Sequence, residues 1–460
     1  MSAQAAAIRG GTRSLSLMQI IFASSAGTVI EWYDFYIYAS LAVFFGSLFF
    51  PKENPTAQFL STLAVWGAGF VVRPFGAVVF GRIGDLVGRK YAFIVTLSVM
   101  GLATTLTGLV PTYAAIGILA PTLLVLFRLI QGLALGGEYG GAATYIAEHA
   151  PDGRRGYYTA WIQTTATVGL MMSFLVVVGT RLMLGETAFK AWGWRVPFLV
   201  SALLLVLAMY IRVRLQEAPL FARLKDMGKS SKHPIKDSLG SGRNWGMIIL
   251  ALLGATAGQA TVWYTGQFYV LLFLQTQVFP KTASFVTAPL VVAIALALAT
   301  PLFLVFGALS DRIGRKKVIM AGLLLAALTY LPIYHAMKAN AGTNIPGLIG
   351  LVFIQVVYVT LVYGPIAAFL VEYFPARIRY TSMSLPYHMG NGWFGGLTPV
   401  IAASISVATG NIYAGLWWPI AVALMSFVVG GLFLPETNKT KIWDEVGGEP
   451  AMAGAFTGGR

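Results

Sequence analysis

Ionisable side chains lie inside several stretches of sequence that are otherwise apolar, and their types suggest proton transfer and anion binding. Glu31 and Asp34 are three residues apart, so on a helix they share one face. A carboxyl group in such a stretch can exchange a proton, and a planar guanidinium can bind a carboxylate with two parallel hydrogen bonds. The ionisable residues in these stretches are Glu31, Asp34, Arg73, Arg128, Glu138 and His388.

Uncharged polar and aromatic residues are dense between residues 259 and 269, and a second group surrounds His388. Polar groups in the middle of a membrane need partners, so this density favours a site for a polar substrate. Ordinary core packing is the alternative interpretation for each residue. The sequence predicts substrate contacts from Arg73, Trp263, Tyr264, Gln267, His388 and Asn391.

Two charged loop motifs each occur twice along the chain. Residues 81–90 read GRIGDLVGRK and residues 307–316 read GALSDRIGRK, an offset of 226. Residues 147–156 read AEHAPDGRRG and residues 371–380 read VEYFPARIRY, an offset of 224. In the first motif an acid and an arginine are four residues apart, so one helical turn would bring them together. Anchoring of basic residues at a membrane surface is the alternative, but the paired acids favour an ion-pair network.

The elements that position these residues must lie in lipid. Of the 460 residues, 57% are hydrophobic and 11% are charged, and the mean hydropathy is +0.73. About a quarter of a soluble protein is charged, so this composition excludes a soluble enzyme, a secreted scaffold and a disordered protein. The chain has no cysteine, which excludes disulfides and thiolate metal sites. We expect no catalytic residue, no metal and no cofactor.

Apolar runs bounded by charged or Pro/Gly-rich loops predict twelve helices that can each cross about 30 Å of hydrocarbon. The predicted fold class is therefore an all-α integral membrane protein. The runs lie in residues 18–49, 57–81, 91–110, 116–147, 157–180, 195–212, 245–275, 284–309, 318–337, 346–374, 381–408 and 413–434.

The 32 basic residues fall mainly on one side of this topology. With the N-terminus placed in the cytoplasm, 24 lie on the inner side, 6 on the outer side and 2 within spans. This asymmetry follows the positive-inside rule and predicts that both termini are cytoplasmic. The net charge of +15 is thereby explained by topology, and a nucleic-acid partner is excluded.

One long connection divides the predicted spans into two sets of six. Residues 214–244 form a cytoplasmic linker that we expect to lie on the inner leaflet. An N-terminal six-helix bundle occupies residues 1–213, and a C-terminal bundle with a short cytoplasmic tail occupies residues 245–460. The doubled motifs indicate that the bundles are pseudo-symmetric repeats, an architecture typical of secondary transporters.

The doubled pattern G-x-x-x-D-x-x-G-R-[KR] resembles the signature of the major facilitator superfamily. Four further segments resemble its metabolite:proton symporters, which include transporters of oxoglutarate, citrate, shikimate and proline/betaine. They are EWYDFYIY (31–38), VRPFG (72–76), RLIQGLALGGEYGGA (128–142) and WGWRVPF (192–198). Ser310 stands where the first copy has Gly84, and we expect this difference to change only the local turn.

This resemblance implies alternating access, with the first, fourth, seventh and tenth spans lining the cavity. Sugar porters of the same superfamily pair a first-span Asp with a fourth-span Arg, which implies a proton switch between Asp34 and Arg128, with Glu31 as a substitute. A permanently ionised pair is the alternative. The implied cytoplasmic gate consists of Asp85, Arg89, Glu148, Arg155, Asp311, Arg315, Glu372 and Arg379.

The predicted function is import of a small organic acid coupled to the proton, by a monomeric transporter whose other partner is the lipid bilayer. The predicted location is the plasma membrane, namely the inner membrane of a bacterium. A proline- or betaine-like zwitterion, whose ammonium group would rest on Trp263 or Tyr264, is one alternative substrate. An uncoupled facilitator is a further alternative. A membrane enzyme would need a convergent catalytic cluster, and a channel would need a ring of like groups.

Overall fold

The computed structural model describes residues 17–444, except for 52–53, 88, 214–226, 228–233, 280, 342–343 and 377. At some helical positions, Asp85 and Arg89 among them, the backbone is described but the side chain is not. The described chain is helical and has no strand. Its long helices are α1 (Leu17–Ser40), α2 (Pro55–Ile83), α3 (Arg89–Leu109), α4 (Leu119–His149), α5 (Arg155–Ala191), α6 (Gly193–Ile211), α7 (Gly242–Val278), α8 (Phe285–Ile313), α9 (Arg315–Ala339), α10 (Ile345–Tyr373), α11 (Arg379–Thr409) and α12 (Ala414–Phe433).

Ten of these helices are long and apolar enough to cross a membrane within the described part of the chain. The other two, α1 and α3, coincide with the predicted first and third spans. The apolar part of α3 is only Ile94–Leu109, and α1 carries both Glu31 and Asp34. The all-α membrane fold is confirmed, while the count of twelve spans stays a prediction.

Two helices begin with the same local arrangement of asparagine and proline. Asn54 precedes α2 and its Oδ1 accepts a hydrogen bond from the Ala57 N–H at 3.0 Å. Asn344 precedes α10 and its Oδ1 accepts from the Gly347 N–H at 2.8 Å. A proline follows within the first turn of each helix, where no N–H needs an intrahelical partner. These sequences therefore act as start signals for the spans.

Helices from the two predicted bundles approach each other closely at glycines. A Cβ atom built on Gly156 of α5 would lie 2.5 Å from the carbonyl oxygen of Gly307 in α8, and one on Gly307 would lie 2.6 Å from the carbonyl oxygen of Gly156. Only residues without a side chain allow this approach. Contacts between α1–α6 and α7–α12 therefore include backbone contacts.

Two helices contain π-helical turns, in which hydrogen bonds span five residues instead of four. Three such segments interrupt α7, namely Leu252–Thr256, Thr265–Tyr269 and Leu274–Val278. A fourth, Gly390–Gly396, lies in α11. π-turns often occur at functional sites, and both helices carry predicted substrate contacts.

The bundle boundaries at residues 213 and 245 remain a prediction. Most of the linker lies outside the described residues, and what is described there is Met227 and residues 234–244, including a short helix at Pro234–Leu239.

Candidate functional site

Arg73 lies at a break in the helix of the second span. The helical segment Pro55–Val71 ends there and a second segment, Arg73–Leu86, begins with Arg73 followed by Pro74. The side chain of Arg73 is fully buried. Its Nη1 donates to the hydroxyl of Tyr264 at 3.4 Å, while Nε and Nη2 have no hydrogen-bond partner among the described residues. The guanidinium therefore has donors available for a ligand.

Side chains from α1, α7, α10 and α11 surround this guanidinium. The guanidinium interacts electrostatically with four phenolic groups and one imidazole, those of Tyr36, Tyr264, Tyr363, Tyr387 and His388. Its carbon Cζ also lies 5.7 Å from the ring centroid of Trp32 and 5.5 Å from that of Phe70. All of the neighbours that carry polar groups are uncharged or weakly basic, so Arg73 is the strong charge of this central site.

Aromatic rings cover the central site on one side. The rings of Tyr36 and Trp263 stack with centroids 5.6 Å apart, and those of Trp66 and Phe268 are 5.1 Å apart. Each of these contacts joins a helix of α1–α6 to α7. A ligand that enters from this side must first separate them.

A second aromatic layer covers the opposite side, toward Arg155 and Glu372. Tyr139 of α4 and Tyr387 of α11 are parallel, with centroids 3.4 Å apart. The Tyr387 hydroxyl lies 2.7 Å from that of Tyr363, and Gln163 Nε2 donates to the Tyr139 hydroxyl at 2.7 Å. The central residues are thus buried, with aromatic contacts between the two predicted bundles in both layers.

The predicted substrate contacts separate into two groups in the structure. Trp263, Tyr264 and His388 lie around Arg73, and both ring nitrogens of His388 lack a partner in the described chain. Asn391 instead donates to the Tyr387 carbonyl at 3.0 Å and to Gln259 Oε1 at 3.4 Å. Gln267 is fully buried, and its amide forms no hydrogen bond with Arg73 or any other described group.

Sequence reasoning missed Tyr36, Tyr139 and Tyr387 as site residues. Tyr36 is two positions from Asp34, so it points away from the face that the two acids share. Its ring packs on Trp32 at 5.0 Å as well as on Trp263. The density of aromatic residues in EWYDFYIY was the available signal, but packing gives the same pattern.

Asp34 and Arg128 are buried but do not meet. Neither carboxyl oxygen of Asp34 accepts a hydrogen bond from the described chain, and the polar side chain beside it is Ser201 of α6. Arg128 Nη1 donates to Gln131 Oε1 at 2.7 Å and to the Phe35 carbonyl at 3.1 Å. The predicted ion pair is therefore not formed in this conformation, and Nε and Nη2 of Arg128 have no hydrogen-bond partner among the described residues.

Aromatic rings complete the surroundings of Arg128. Its Cζ lies 4.4 Å from the ring centroid of Phe35, 4.6 Å from that of Tyr38 and 4.9 Å from that of Trp66. Rings in these positions stabilise a cation without neutralising it. Glu31, the predicted substitute for Asp34, is also buried, one turn earlier in α1.

Four predicted gate residues form a buried ion-pair network, called here the charged cluster: Arg155, Asp311, Arg315 and Glu372. Arg155 Nη1 donates to Glu372 Oε1 at 2.9 Å, which joins α5 to α10. Arg315 donates to the same carboxylate through Nη2 at 3.0 Å and Nε at 3.1 Å. Its Nη1 lies 2.7 Å from Asp311 Oδ1.

Asp311 also joins the two predicted bundles through backbone groups. Its Oδ1 accepts from the Gly156 N–H at 2.8 Å and its Oδ2 from the Tyr157 N–H at 2.9 Å. Both N–H groups belong to the first turn of α5, where a carboxylate is favoured by unsatisfied donors and by the helix dipole. The end of α8 is thus tied to the start of α5.

The acid and the arginines of the second motif pair between helices and not within one copy of the motif. Glu372 pairs with Arg155 and Arg315 and not with Arg379, whose Nε donates to the Phe374 carbonyl at 3.0 Å. Among the described residues, Arg155 pairs with Glu372 and with Asp152, the latter at 2.6 Å, and Glu148 is buried. The side chains of Asp85 and Arg89 lie outside what the structure describes.

Ser310 has more than the local effect that we expected. Its hydroxyl accepts from Arg315 Nη1 at 2.9 Å and donates to the Gly307 carbonyl at 2.7 Å. The substitution of serine for glycine in the second copy of the motif therefore orients a guanidinium of the charged cluster.

A tail segment, residues 434–444, follows α12 and packs on the charged cluster. Glu436 accepts from the Arg315 N–H at 2.6 Å, and the Thr437 hydroxyl donates to Glu372 Oε2 at 2.8 Å. Arg155 Nη1 donates to the Thr440 carbonyl at 3.1 Å. Ile442 and Trp443 are buried. The tail therefore connects parts of both predicted bundles.

Comparison of the sequence with known protein families also indicates a membrane transporter. The family described as "Sugar (and other) transporter" matches residues 19–245, and the family described as "Major Facilitator Superfamily" matches residues 281–454. These two matches cover most of the chain on either side of the linker.

Three curated relatives align over nearly their whole length. The inner membrane metabolite transport protein YhjE of Escherichia coli is 36% identical, covering 87% of this chain and 90% of the relative. The citrate-proton symporter of Salmonella typhi is 32% identical, with 90% and 93% covered. The glycine betaine/proline/ectoine/pipecolic acid transporter OusA of Dickeya dadantii is 31% identical, with 92% and 84% covered.

The fold also matches a solved structure. The proton:xylose symporter XylE, bound to 6-bromo-6-deoxy-D-glucose, superposes with a TM-score of 0.73 at 17% identity, covering 94% of this chain and 98% of that one. At this identity the likeness concerns the fold alone. The curated relatives described above also show the functional class, because they are membrane transporters and not enzymes. The chain is a multi-pass membrane protein and belongs to the major facilitator superfamily of transporters.

Proposed function

We propose that this transporter is a symporter that imports a small organic acid together with a proton. The observation that carries the proposal is Arg73, a fully buried guanidinium with two unsatisfied donors at the junction of α2 with helices of the second bundle. An uncompensated buried charge is unfavourable unless a partner arrives. A carboxylate supplies both the opposite charge and the acceptors, in the geometry that guanidinium prefers.

Neighbouring groups support an anionic substrate of modest size. His388 and Trp263 add nitrogen atoms without partners in the described chain, and no described acid contacts Arg73. Aromatic rings provide the remaining walls. The site therefore suits a ligand with a polar, negatively charged end and a less polar body.

Alternating access accounts for the two closed sides of this site. On one side the Tyr36–Trp263 contact must open, and on the other the Tyr139–Tyr387 stack and the charged cluster must open. Each of these contacts joins the two predicted bundles. Movement of one bundle against the other would expose Arg73 to one side at a time.

For proton coupling we propose that Asp34 is the group that is protonated and deprotonated. In the present conformation it has no cation beside it, so the neutral carboxyl is the form that its surroundings favour. Arg128 donates to the carbonyl of Phe35, the residue that follows Asp34, and to Gln131. Movement of Arg128 toward Asp34 in another conformation would stabilise the charged carboxylate and release the proton.

A zwitterion is the second candidate substrate. Tyr36, Trp263 and Tyr264 form ring faces near Arg73 that could hold a quaternary ammonium group while Arg73 binds its carboxylate. The relative OusA, named for betaine and proline, supports this alternative. A facilitator without proton coupling is the third possibility.

The proposal includes a location. We place the protein in a bacterial inner membrane, as the name of YhjE suggests, with both termini and the charged cluster on the cytoplasmic side. This orientation puts 24 of 32 basic residues inside. We propose the monomer as the functional unit, because one chain supplies both bundles.

Proteoliposome uptake tests the function. A thermal-shift screen of 2-oxoglutarate, citrate, shikimate, proline and glycine betaine identifies the ligand class, because a ligand stabilises the state that it binds. Uptake of the best ligand is then measured with and without an inward proton gradient. Gradient-driven accumulation of an acid supports the proposal; preference for betaine or proline supports the second candidate, and equilibration without accumulation supports a facilitator.

A further inference from the structure

A basic pocket lies at the end of α8 and the start of α9, away from the central site. It encloses about 640 Å³ and is lined by Arg312, Lys316, Lys317 and Lys439, together with Glu436 and Asn438 of the tail segment. Three elements therefore contribute to it. Nothing in the proposed transport cycle uses these four cations.

Most of the positive charge in this pocket is available to a ligand. Arg312, Lys317 and Lys439 are exposed and form no ion pair or hydrogen bond through their side chains with the described residues. Lys316 donates to the Leu434 carbonyl at 2.9 Å. The one carboxylate, Glu436, accepts from the backbone N–H groups of Arg315 and Lys316 instead of from these side chains. The pocket therefore attracts anions.

Apolar side chains lead from the pocket along the outside of both helices. On α8, Val305, Leu309 and Ile313 recur every four residues and are 53%, 36% and 44% exposed. On α9, Lys317 and Leu325 lie on one exposed face, eight residues apart. In a membrane helix such exposed apolar faces contact acyl chains. A ligand with a phosphate at one end and acyl chains at the other matches both parts of this surface.

We infer that the basic pocket binds the head group of an anionic phospholipid. Arg and Lys side chains bind phosphate oxygens with charge-assisted hydrogen bonds, and basic pockets between membrane helices are suited to such head groups. The pocket shares Glu436 and Asn438 with the tail segment, and Asn438 Nδ2 donates to the Asp311 carbonyl at 3.3 Å. A bound head group would therefore hold the tail on the charged cluster.

Native mass spectrometry of the purified full-length protein can test this inference directly. The protein is titrated with phosphatidylglycerol and, separately, with phosphatidylcholine of the same acyl chains. The triple variant R312Q/K317Q/K439Q is compared with R82Q/R154Q/K338Q, which removes three exposed cations that form no ion pair with the described residues and lie outside both the pocket and the predicted linker. Each basic residue near an anionic head group contributes roughly a fivefold gain in affinity. We expect the pocket variant to bind phosphatidylglycerol on the order of 100-fold more weakly and the control to change by less than about threefold.

Two further measurements identify the ligand and exclude misfolding. The charge-retaining variant R312K/K317R/K439R should bind phosphatidylglycerol like the parent chain, and its failure to do so would contradict a charge-based site. Inorganic phosphate is titrated in detergent as the soluble source of the same chemistry. Equal losses in the pocket and control variants, equal binding of phosphatidylcholine, or displacement of the lipid by millimolar phosphate would each overturn the proposal.

Discussion

At the scale of single residues, the chemistry of this transporter depends on charges that lack a fixed partner. Arg73 and Asp34 are both buried, and neither is neutralised by a described residue of the opposite charge. A buried group in this state stores an unfavourable free energy that a ligand or a proton can relieve. In the function proposed above, substrate binding at Arg73 and protonation at Asp34 therefore take place at separate residues.

Arg73→Ala should weaken binding of the identified substrate by at least about tenfold, and up to about 150-fold. Hydrogen bonds to a charged group contribute about 1.5–3 kcal/mol, and 1.4 kcal/mol is a factor of ten. Isothermal titration in detergent measures the change. Arg243→Ala, an exposed arginine at the start of α7, is the matched control. Unchanged affinity in Arg73→Ala would show that the substrate binds elsewhere.

Asp34→Asn should abolish proton-driven accumulation and leave substrate exchange within about twofold of the parent chain. The amide has the same shape, cannot ionise, and breaks no ion pair in the described structure. Uptake under a proton gradient and counterflow without a gradient are measured on the same vesicles. Loss of both activities would indicate a structural role for Asp34, and continued accumulation would exclude it from coupling.

The sequence predicted Arg73, Trp263, Tyr264 and His388 as substrate contacts because charges and polar groups in apolar stretches are conspicuous, and the structure brings these four residues together. It could not identify the partners of Arg128, since a guanidinium can be satisfied by a carbonyl, an amide or a ring as well as by an acid. Phe35 provides two of these through its backbone and ring. Pattern alone does not distinguish between such partners.

At the scale of elements, the helices that carry the central site are also the irregular ones. Trp263 and Tyr264 directly precede the π-turn Thr265–Tyr269, and Tyr387 and His388 lie three and two residues before the start of the π-turn Gly390–Gly396. A π-turn leaves carbonyl groups less tightly bound than an α-turn does, which makes local rearrangement easier. The sequence predicted the extents of α7 and α11 but not these turns, because their residues also fit a regular helix.

Asp311→Asn should weaken the closed state of the charged cluster. A carboxylate at a helix start contributes about 0.3–1 kcal/mol, and up to about 2 kcal/mol when partly buried. Asp311 occupies that position at α5 and also pairs with Arg315. With Ser384→Cys as a buried reporter in α11, we expect thiol labelling to be about fivefold faster than in the same reporter with Asp311 intact.

The parent chain has no cysteine, so the reporter thiol is the sole site of labelling. Glu186→Gln, which removes the partner of Lys190 at the other end of the molecule, is the control and should leave the labelling rate unchanged. Equal rates with and without Asp311 would mean that this residue anchors the helix end without holding the gate.

At the scale of the whole molecule, the duplicated sequence predicted two related bundles with matching charged loops. It could not predict which acid pairs with which arginine, because each motif contributes both types at similar positions. Glu372 has Arg379 seven residues away in its own motif, yet it binds Arg155 from the other bundle and Arg315 from α9. The pairing depends on which helix ends lie next to each other in the folded chain. The resulting ion pair between Arg155 and Glu372 joins the two predicted bundles at this end of the molecule.

A disulfide between Gly140→Cys and Ser384→Cys should lock this end closed. A Cβ at Gly140 of α4 would lie 3.4 Å from the Cβ of Ser384 in α11, close to the 3.5–4.5 Å found in disulfides. Oxidised protein should lose more than about 90% of its uptake, and reductant should restore it. Each single-cysteine variant under oxidation is the control. Full uptake by cross-linked protein would show that the two helices need not separate during transport.

The packing of the tail segment has a consequence during biosynthesis. A ribosome makes the chain from its N-terminus, so Arg155 and Arg315 are synthesised well before Glu436, Thr437 and Thr440, which contact the cluster. Until residues 434–444 have emerged, the newly made bundles lack the groups that complete their closed end. The charged cluster can therefore reach its full set of contacts only after the tail has been synthesised.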